Sequence, residues 1–144
     1  MGFGSDPIPG MDAFYTPAPS RPVLRPDTAL LRILNGPGAG RIYLLNAVRL
    51  RIGRNDPPTH SVDIDLTDCE LGDPPKISRR HAELRWVEEA LQLLDLGSSN
   101  GTDVNGQRLL AVSNPAHFPI TLQIGDRIRF ANLECEIALH EDGT

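Results

Sequence analysis

Apolar positions along this chain fall in short runs, and the clearest of them have a period of two. Val48-Arg49-Leu50-Arg51-Ile52 alternates apolar and basic side chains, the pattern of a strand buried on one face. Leu30 to Leu34 and Arg41 to Leu45 are apolar runs separated by Asn35-Gly36-Pro37-Gly38-Ala39-Gly40. That glycine spacing lacks a following helix and a Lys-Ser/Thr pair, so it reads as a hairpin turn and not as a nucleotide-phosphate loop. Gly53-Arg54-Asn55-Asp56-Pro57-Pro58 ends the third run with turn chemistry, and Val62 to Leu66 forms a further short strand. Ala82 to Val87 and Leu91 to Leu96 are joined through Glu88-Glu89-Ala90. Asp103-Val104 and Arg108-Leu109 flank Asn105-Gly106, a type I′ hairpin signal. Ile120 to Ile124, Arg127 to Phe130 and Glu134 to Leu139 complete the series. No stretch holds a helical period over three turns. Short strands with regular turns predict an all-β sandwich or barrel. Trp86 is expected in its core, because aromatic side chains contribute large apolar area.

The pattern is absent from the first 28 residues. Pro7, Pro9, Pro17, Pro19, Pro22 and Pro26 punctuate them, and proline fixes φ and removes a donor. The predicted organisation is a Pro-rich extended tail over 1–28, one β domain over 29–140 and a short tail over 141–144.

Composition narrows the function. The chain has 144 residues, a formal net charge of −5 and a pI of about 5.3. This length suffices for one buried core, and the acidic balance argues against a nucleic-acid partner. A small basic pocket would be selective on such a chain, since the surrounding charge repels other acidic ligands. Cys69 and Cys135 are the only cysteines, too few for a disulfide framework, so a reduced, cytoplasmic setting is expected. No Cys/His spacing suits zinc, no cofactor motif is present, and no apolar run approaches a membrane span. The N-terminus lacks the regions of a secretory signal, and Asp6 departs from the myristoylation pattern.

Two polar stretches carry the candidate chemistry. Ile77-Ser78-Arg79-Arg80-His81 follows the turn-forming run Gly72-Asp73-Pro74-Pro75-Lys76 and leads into a strand. A hydroxyl, two guanidiniums and an imidazole on a loop suit an anion, above all phosphate, whose oxygens match the arginine fork. A hydrolase built on Ser78, His81 and Asp95 is disfavoured: Ser78 is on no nucleophile elbow and nothing marks an oxyanion hole. The second stretch is Asp95-Leu96-Gly97-Ser98-Ser99-Asn100-Gly101-Thr102. Asn offers an acceptor and two donors, which suits it to holding a peptide backbone.

Gly53-Arg54, Ser78-Arg79-Arg80-His81, Ser98-Ser99-Asn100-Gly101-Thr102 and Asn105-Gly106, in this order on a helix-free chain, resemble a forkhead-associated (FHA) domain. The resemblance covers about residues 29–140. It implies an eleven-stranded antiparallel β-sandwich whose loops at one end bind phosphothreonine peptides without catalysis. By the same resemblance, Arg54, Ser78 and Arg79 would contact the phosphate or adjacent backbone, Ser99 would line the threonine slot, and Asn100 would hold the peptide main chain. Gly53, His81, Gly101, Asn105 and Gly106 would support the binding loops. Arg80 and Thr102 are possible further peptide contacts. The loop from Asn55 to Ile77 carries Asp56, Asp63, Asp65, Asp68, Glu70 and Asp73, which are expected to point away from the pocket.

The implied role is a small adaptor in Ser/Thr kinase signalling, with a phosphothreonine protein, a kinase or its substrate as partner. The alternative is an interaction protein that binds an unphosphorylated partner through a face of the sandwich. Thr16, beside Pro17 in the tail, is a candidate phosphosite, through which the tail could occupy the chain's own pocket or a neighbour's and give oligomers.

Overall fold

The computed structural model describes residues 23–59 and 61–140. Thr16, most of the Pro-rich segment and the last four residues lie outside them.

Eleven strands form two packed sheets. They are β1 (Ala29–Ile33), β2 (Ile42–Leu44), β3 (Arg49–Gly53), β4 (Ile64–Asp65), β5 (Arg80–Val87), β6 (Ala90–Asp95), β7 (Thr102–Val104), β8 (Gln107–Arg108), β9 (Ile120–Thr121), β10 (Arg127–Phe130) and β11 (Leu133–Leu139). One sheet runs β2-β1-β11-β10-β7-β8 and the other β4-β3-β5-β6-β9. All named pairings are antiparallel except β3 with β4, where Ile52 stands beside Ile64. This fits the expected sandwich, with one parallel pair added at a sheet edge. A single 3-10 turn, Thr67–Cys69, is the one helical piece among the described residues.

Period-two patterning places the core. In β3, Leu50 and Ile52 point inward while Arg49 and Arg51 face solvent. Leu31, Ile33, Leu84, Leu93, Phe130 and Ile137 meet between the sheets, all within 1% of full burial. Burying one such Leu, Ile or Phe side chain contributes about 1.5–3 kcal/mol. Trp86 is core, and its indole N–H donates to the Leu45 carbonyl at 2.8 Å. The glycine-rich segment is the β1–β2 hairpin turn, closed by Gly40 N–H on the Ile33 carbonyl, with Gly36 and Gly40 at positive φ.

Ordered packing starts earlier than Ala29. Leu24 is 9% exposed and belongs to the core cluster, and the Thr28 and Ala29 N–H groups close a turn on the Arg25 carbonyl. One leucine among prolines carries no period, yet its apolar surface is enough to anchor the segment.

Two connections position the functional end. The β3–β5 register shifts at Ile52/Gly53, a bulge that turns the chain out as Arg54 begins. β5 starts at Arg80 and β6 ends at Asp95, so the loops before β5 and after β6 emerge side by side.

Candidate functional site

Three loops meet at this end, from β3, into β5 and between β6 and β7. Gly53 lets two of them touch. A Cβ there would lie 2.0 Å from the Arg79 carbonyl oxygen and 2.9 Å from that of Ser78. Only glycine permits that approach. The Arg54 N–H donates to the same Arg79 carbonyl at 3.2 Å, and Arg54 Nε donates to the Ile77 carbonyl at 2.5 Å.

His81 ties the loop into β5 to the β6–β7 loop. The Ser78 N–H donates to His81 Nδ1 at 3.0 Å, so the ring is the Nε2–H tautomer and donates to the Gly101 carbonyl at 2.9 Å. The imidazole is fully buried, and its edge meets the Phe130 ring with centroids 5.7 Å apart. Burial lowers its pKa below the ordinary value, against the opposing pull of the Gly101 carbonyl, Asp95 and Glu70. A proton on Nδ1 would confront the Ser78 N–H. In the unfolded chain His titrates near pH 6.5. Above that pH both states are neutral. Below it the unfolded state takes the proton first, so stability falls as pH drops through the folded value. Thermal melts from pH 7.5 to 5 are expected to show this decline. His81→Gln should melt lower throughout but without the His81 slope; an identical slope in both would assign the decline elsewhere.

Asp95 organises the β6–β7 loop. Its Oδ1 accepts the Gly97 and Ser98 N–H groups at 2.7 and 2.9 Å, and its Oδ2 accepts the Ser98 and Thr102 hydroxyls at 2.6 and 2.7 Å. Ser98 Oγ accepts the Gly101 N–H at 2.9 Å. Burial pushes the carboxyl pKa up, but the hydrogen bonds from Ser98, Thr102 and Gly97 together outweigh it and hold it below the ordinary value. Neither imidazole nitrogen of His81 is directed to Asp95 or to Ser78 Oγ, so these side chains form no hydrogen-bonded relay.

The loops leave a shallow cavity of about 340 Å³ lined by Arg54, Ser78, Arg79, Arg80, Gly97 and Ser99. Ser78 Oγ accepts the Ser99 N–H at 3.0 Å, which keeps its own proton available to donate. Larger cavities elsewhere carry less convergent chemistry: the one at Val23–Asp27 is bounded by the β5–β6 turn.

Of the residues singled out in the sequence, Arg54, Ser78, Arg79, Arg80 and Ser99 come together here. Asn100 sits at the rim, where its Nδ2 donates to the Lys76 carbonyl at 2.7 Å and links two loops. Thr102 does not face the site: it is fully buried with its hydroxyl on Asp95, which removes it as a peptide contact. Asn105 and Gly106 form the β7–β8 turn with φ of 51° and 85°, at the other end of β7. Asn105 there receives the Arg127 N–H and donates to Asp126, so it braces β10.

The expectation that the acidic loop residues point away is corrected at two positions. Arg79 Nη1 donates to Asp56 Oδ2 at 2.9 Å. Glu70 lies 3.8 Å from Arg54 Nε and accepts the Lys76 and Ile77 N–H groups. Both guanidiniums attract the nearest carboxylates, and Glu70 is fixed by backbone donors that no linear pattern exposes. Asp63 and Asp65 instead accept N–H groups of Arg51, Asn55 and Thr67. Asp95 as loop organiser was the role missed; its signal is an Asp with Gly two and Ser three residues on (Asp95-Leu96-Gly97-Ser98), since such side chains cap their own turns.

The class is thus an eleven-stranded β-sandwich carrying a cationic, serine-bearing pocket on the loops of one end. The FHA domain model matches residues 50–131, and the chain belongs to the FHA-domain family. It is 36% identical over 102 residues to the oxoglutarate dehydrogenase inhibitor of Corynebacterium efficiens, covering 71% of this chain and 59% of that protein. It is 39% identical over 82 residues to the glycogen accumulation regulator GarA of Mycobacterium tuberculosis, covering 57% of this chain and 44% of GarA. The matches thus span about half the length of these curated relatives. A structure from work on phosphothreonine-dependent FHA domain interactions superposes with a TM-score of 0.58 at 30% identity, covering 79% of this chain and 98% of that one. M. tuberculosis EmbR in complex with a low-affinity phosphopeptide gives 0.60 at 29% identity, covering 81% of this chain and 26% of that one.

Among the described residues no helix is long and apolar enough to cross a membrane, and no cluster of His, Cys, Asp and Glu suits a metal ion.

Proposed function

We propose that this chain is a non-catalytic reader of phosphothreonine peptides, acting as an adaptor in Ser/Thr kinase signalling. The carrying observation is the cavity where Ser78, its hydroxyl proton free, stands with Arg54 and Arg79. A phosphothreonine brings about −1.5 to −2 charge and strong acceptor oxygens. Arg54 spends Nε on the Ile77 carbonyl and keeps its terminal nitrogens for the ligand. Arg79 exchanges Asp56 for the phosphate. Ser99 borders the threonine methyl, whose burial of about 0.8 kcal/mol favours threonine over serine roughly fourfold. Asn100 extends from the rim to the peptide backbone. With His81 neutral and committed to backbone groups, Ser78 has no base to activate it. The relatives named as a regulator and as an inhibitor support a regulatory role.

Titration calorimetry with a degenerate phosphothreonine peptide pool tests this. Wild type is expected to bind at around micromolar Kd, as three or four charge-assisted hydrogen bonds less the ordering of a flexible peptide allow. Ser78→Ala and Arg54→Ala should each weaken binding about 10- to 100-fold, the loss of a hydrogen bond to a charged group. Asp56→Asn should move the other way, up to about fivefold tighter, because an exposed ion pair no longer competes for Arg79. Equal binding of the dephosphorylated pool would sink the reading.

One observation favours a second reading. Leu109, Leu110, Phe118 and Ile120 line a groove of about 340 Å³, and Phe118 is 66% exposed. An unphosphorylated partner that docks on a face of the sandwich would use it. Binding that survives Ser78→Ala but not Phe118→Ala would identify that mode.

A further inference from the structure

The outer face of the β4-β3-β5-β6-β9 sheet carries a second cationic surface. Arg49 pairs in register with Arg85, and Arg51 with Glu83. The Glu83 side chain is 5% exposed and lies beneath three guanidiniums: Arg85 Nε at 2.5 Å, Arg49 Nε at 3.6 Å and Arg51 Nε at 3.6 Å. Those arginines are 59%, 44% and 42% exposed for Arg49, Arg51 and Arg85. One carboxylate cannot neutralise three guanidiniums; at the β4 edge Asp63, whose Oδ2 takes the Arg51 N–H, and Asp65, which pairs with Gly53 and accepts the Asn55 and Thr67 N–H groups, add two more. The next residues across the sheet, Gln92 and Thr121, are neutral. With Arg80 beside Gly53 the face carries four guanidiniums against three carboxylates, so on a chain of net charge −5 it stays positive.

The surface is continuous with the pocket. Gly53 pairs with Arg80, which lines the cavity and has no ion-pair partner among the described residues. From Gly53 back to Arg49 is four residues of strand, about 13 Å at about 3.3 Å per residue. An extended peptide leaving the pocket covers the same distance in about four residues.

We propose that the Arg49–Arg51–Arg85 face is a second docking surface, for an acidic segment of the same protein that carries the phosphothreonine. The proposal rests on the phosphopeptide reading and adds a charge requirement about four or more residues from the phosphate. Carboxylates there exchange solvent for guanidinium forks already oriented around Glu83.

The probes are a short phosphothreonine peptide, the same peptide extended on either side by six glutamates or six serines, and an unphosphorylated hexaglutamate peptide. One glutamate extension is expected to tighten binding about five- to tenfold over its serine counterpart, with the gain lost near 1 M salt, where the Debye length is about 3 Å. Arg49→Gln with Arg85→Gln should abolish the gain and leave the short peptide's affinity unchanged, which also reports an intact fold. Glu83→Gln should increase the gain, because it removes the competing carboxylate. No gain on either side, while the short peptide binds, overturns the proposal. If no phosphothreonine peptide binds, the pocket reading falls, and hexaglutamate then decides: salt-sensitive binding lost in the double variant supports the face, and no binding overturns it. A single-stranded oligonucleotide of equal charge that binds more tightly than hexaglutamate also overturns it.

Discussion

Gly53→Ala is expected to destabilise the domain by about 3 kcal/mol and to weaken phosphopeptide binding more than tenfold. The added methyl carbon would lie 2.0 Å from the Arg79 carbonyl oxygen, 2.7 Å from the Arg79 carbonyl carbon and 2.9 Å from the Ser78 oxygen. Favourable carbon–oxygen contacts lie near 3.3–3.6 Å. The colliding atoms are backbone, so no rotamer relieves them. Arg79 must move away, and with it go the Arg54 N–H bond to its carbonyl and the Ser78 position set by His81. The effect is therefore both on stability and on the site. Gly72→Ala is the control: nothing lies within 4 Å of its added carbon, and it should stay within about 0.5 kcal/mol of wild type. Urea unfolding gives the comparison, read at constant slope. Gly53→Ala with the stability of Gly72→Ala would mean the loops do not approach as closely as described.

Gly53 also shows how far the sequence is readable. That Gly53 supports a binding loop was implied by the family resemblance. What it packs against is set by the β3–β5 register, 26 residues away in the chain, and by a bulge with no residue signature of its own. The strands were legible because alternation such as Val48 to Ile52 is imposed by half-burial. Their order was not, since no local feature says that β4 lies parallel to β3 or that β1 pairs with β11. The pocket cations were legible as a motif. Their counter-charges were not: Asp56 reaches Arg79 across 23 residues, and Glu83 gathers arginines from two strands. Charge pairing across a sheet depends on register, which a linear reading does not supply.

Asp95→Ala is expected to cost about 4 kcal/mol, since each buried donor left without an acceptor costs about 1–3 kcal/mol. Four such groups point at this carboxylate: the Gly97 and Ser98 N–H groups and the Ser98 and Thr102 hydroxyls. Thr102 is fully buried, so water cannot replace its partner without disturbing β7. Asp95→Asn should cost less, about 1–2 kcal/mol. Its amide oxygen still accepts two N–H groups, and its NH₂ can donate to hydroxyls that reverse their protons. The order wild type, Asn, Ala separates loss of charge from loss of acceptors. The pH dependence adds a check. The folded carboxyl titrates below its ordinary value, so its stabilisation is complete above about pH 4 and fades as pH falls through the folded value. The gap between wild type and Asp95→Asn should therefore narrow in acid, at a pH well below the His81 decline. Binding follows from the same geometry. Asp95 is buried and does not line the cavity, but it fixes Ser98, Ser98 fixes Gly101, and the adjoining Ser99 N–H holds Ser78 Oγ. Asp95→Ala should weaken phosphopeptide binding even where the variant is folded. Unchanged affinity in a destabilised Asp95→Ala would show that the Ser78 position is set by His81 alone.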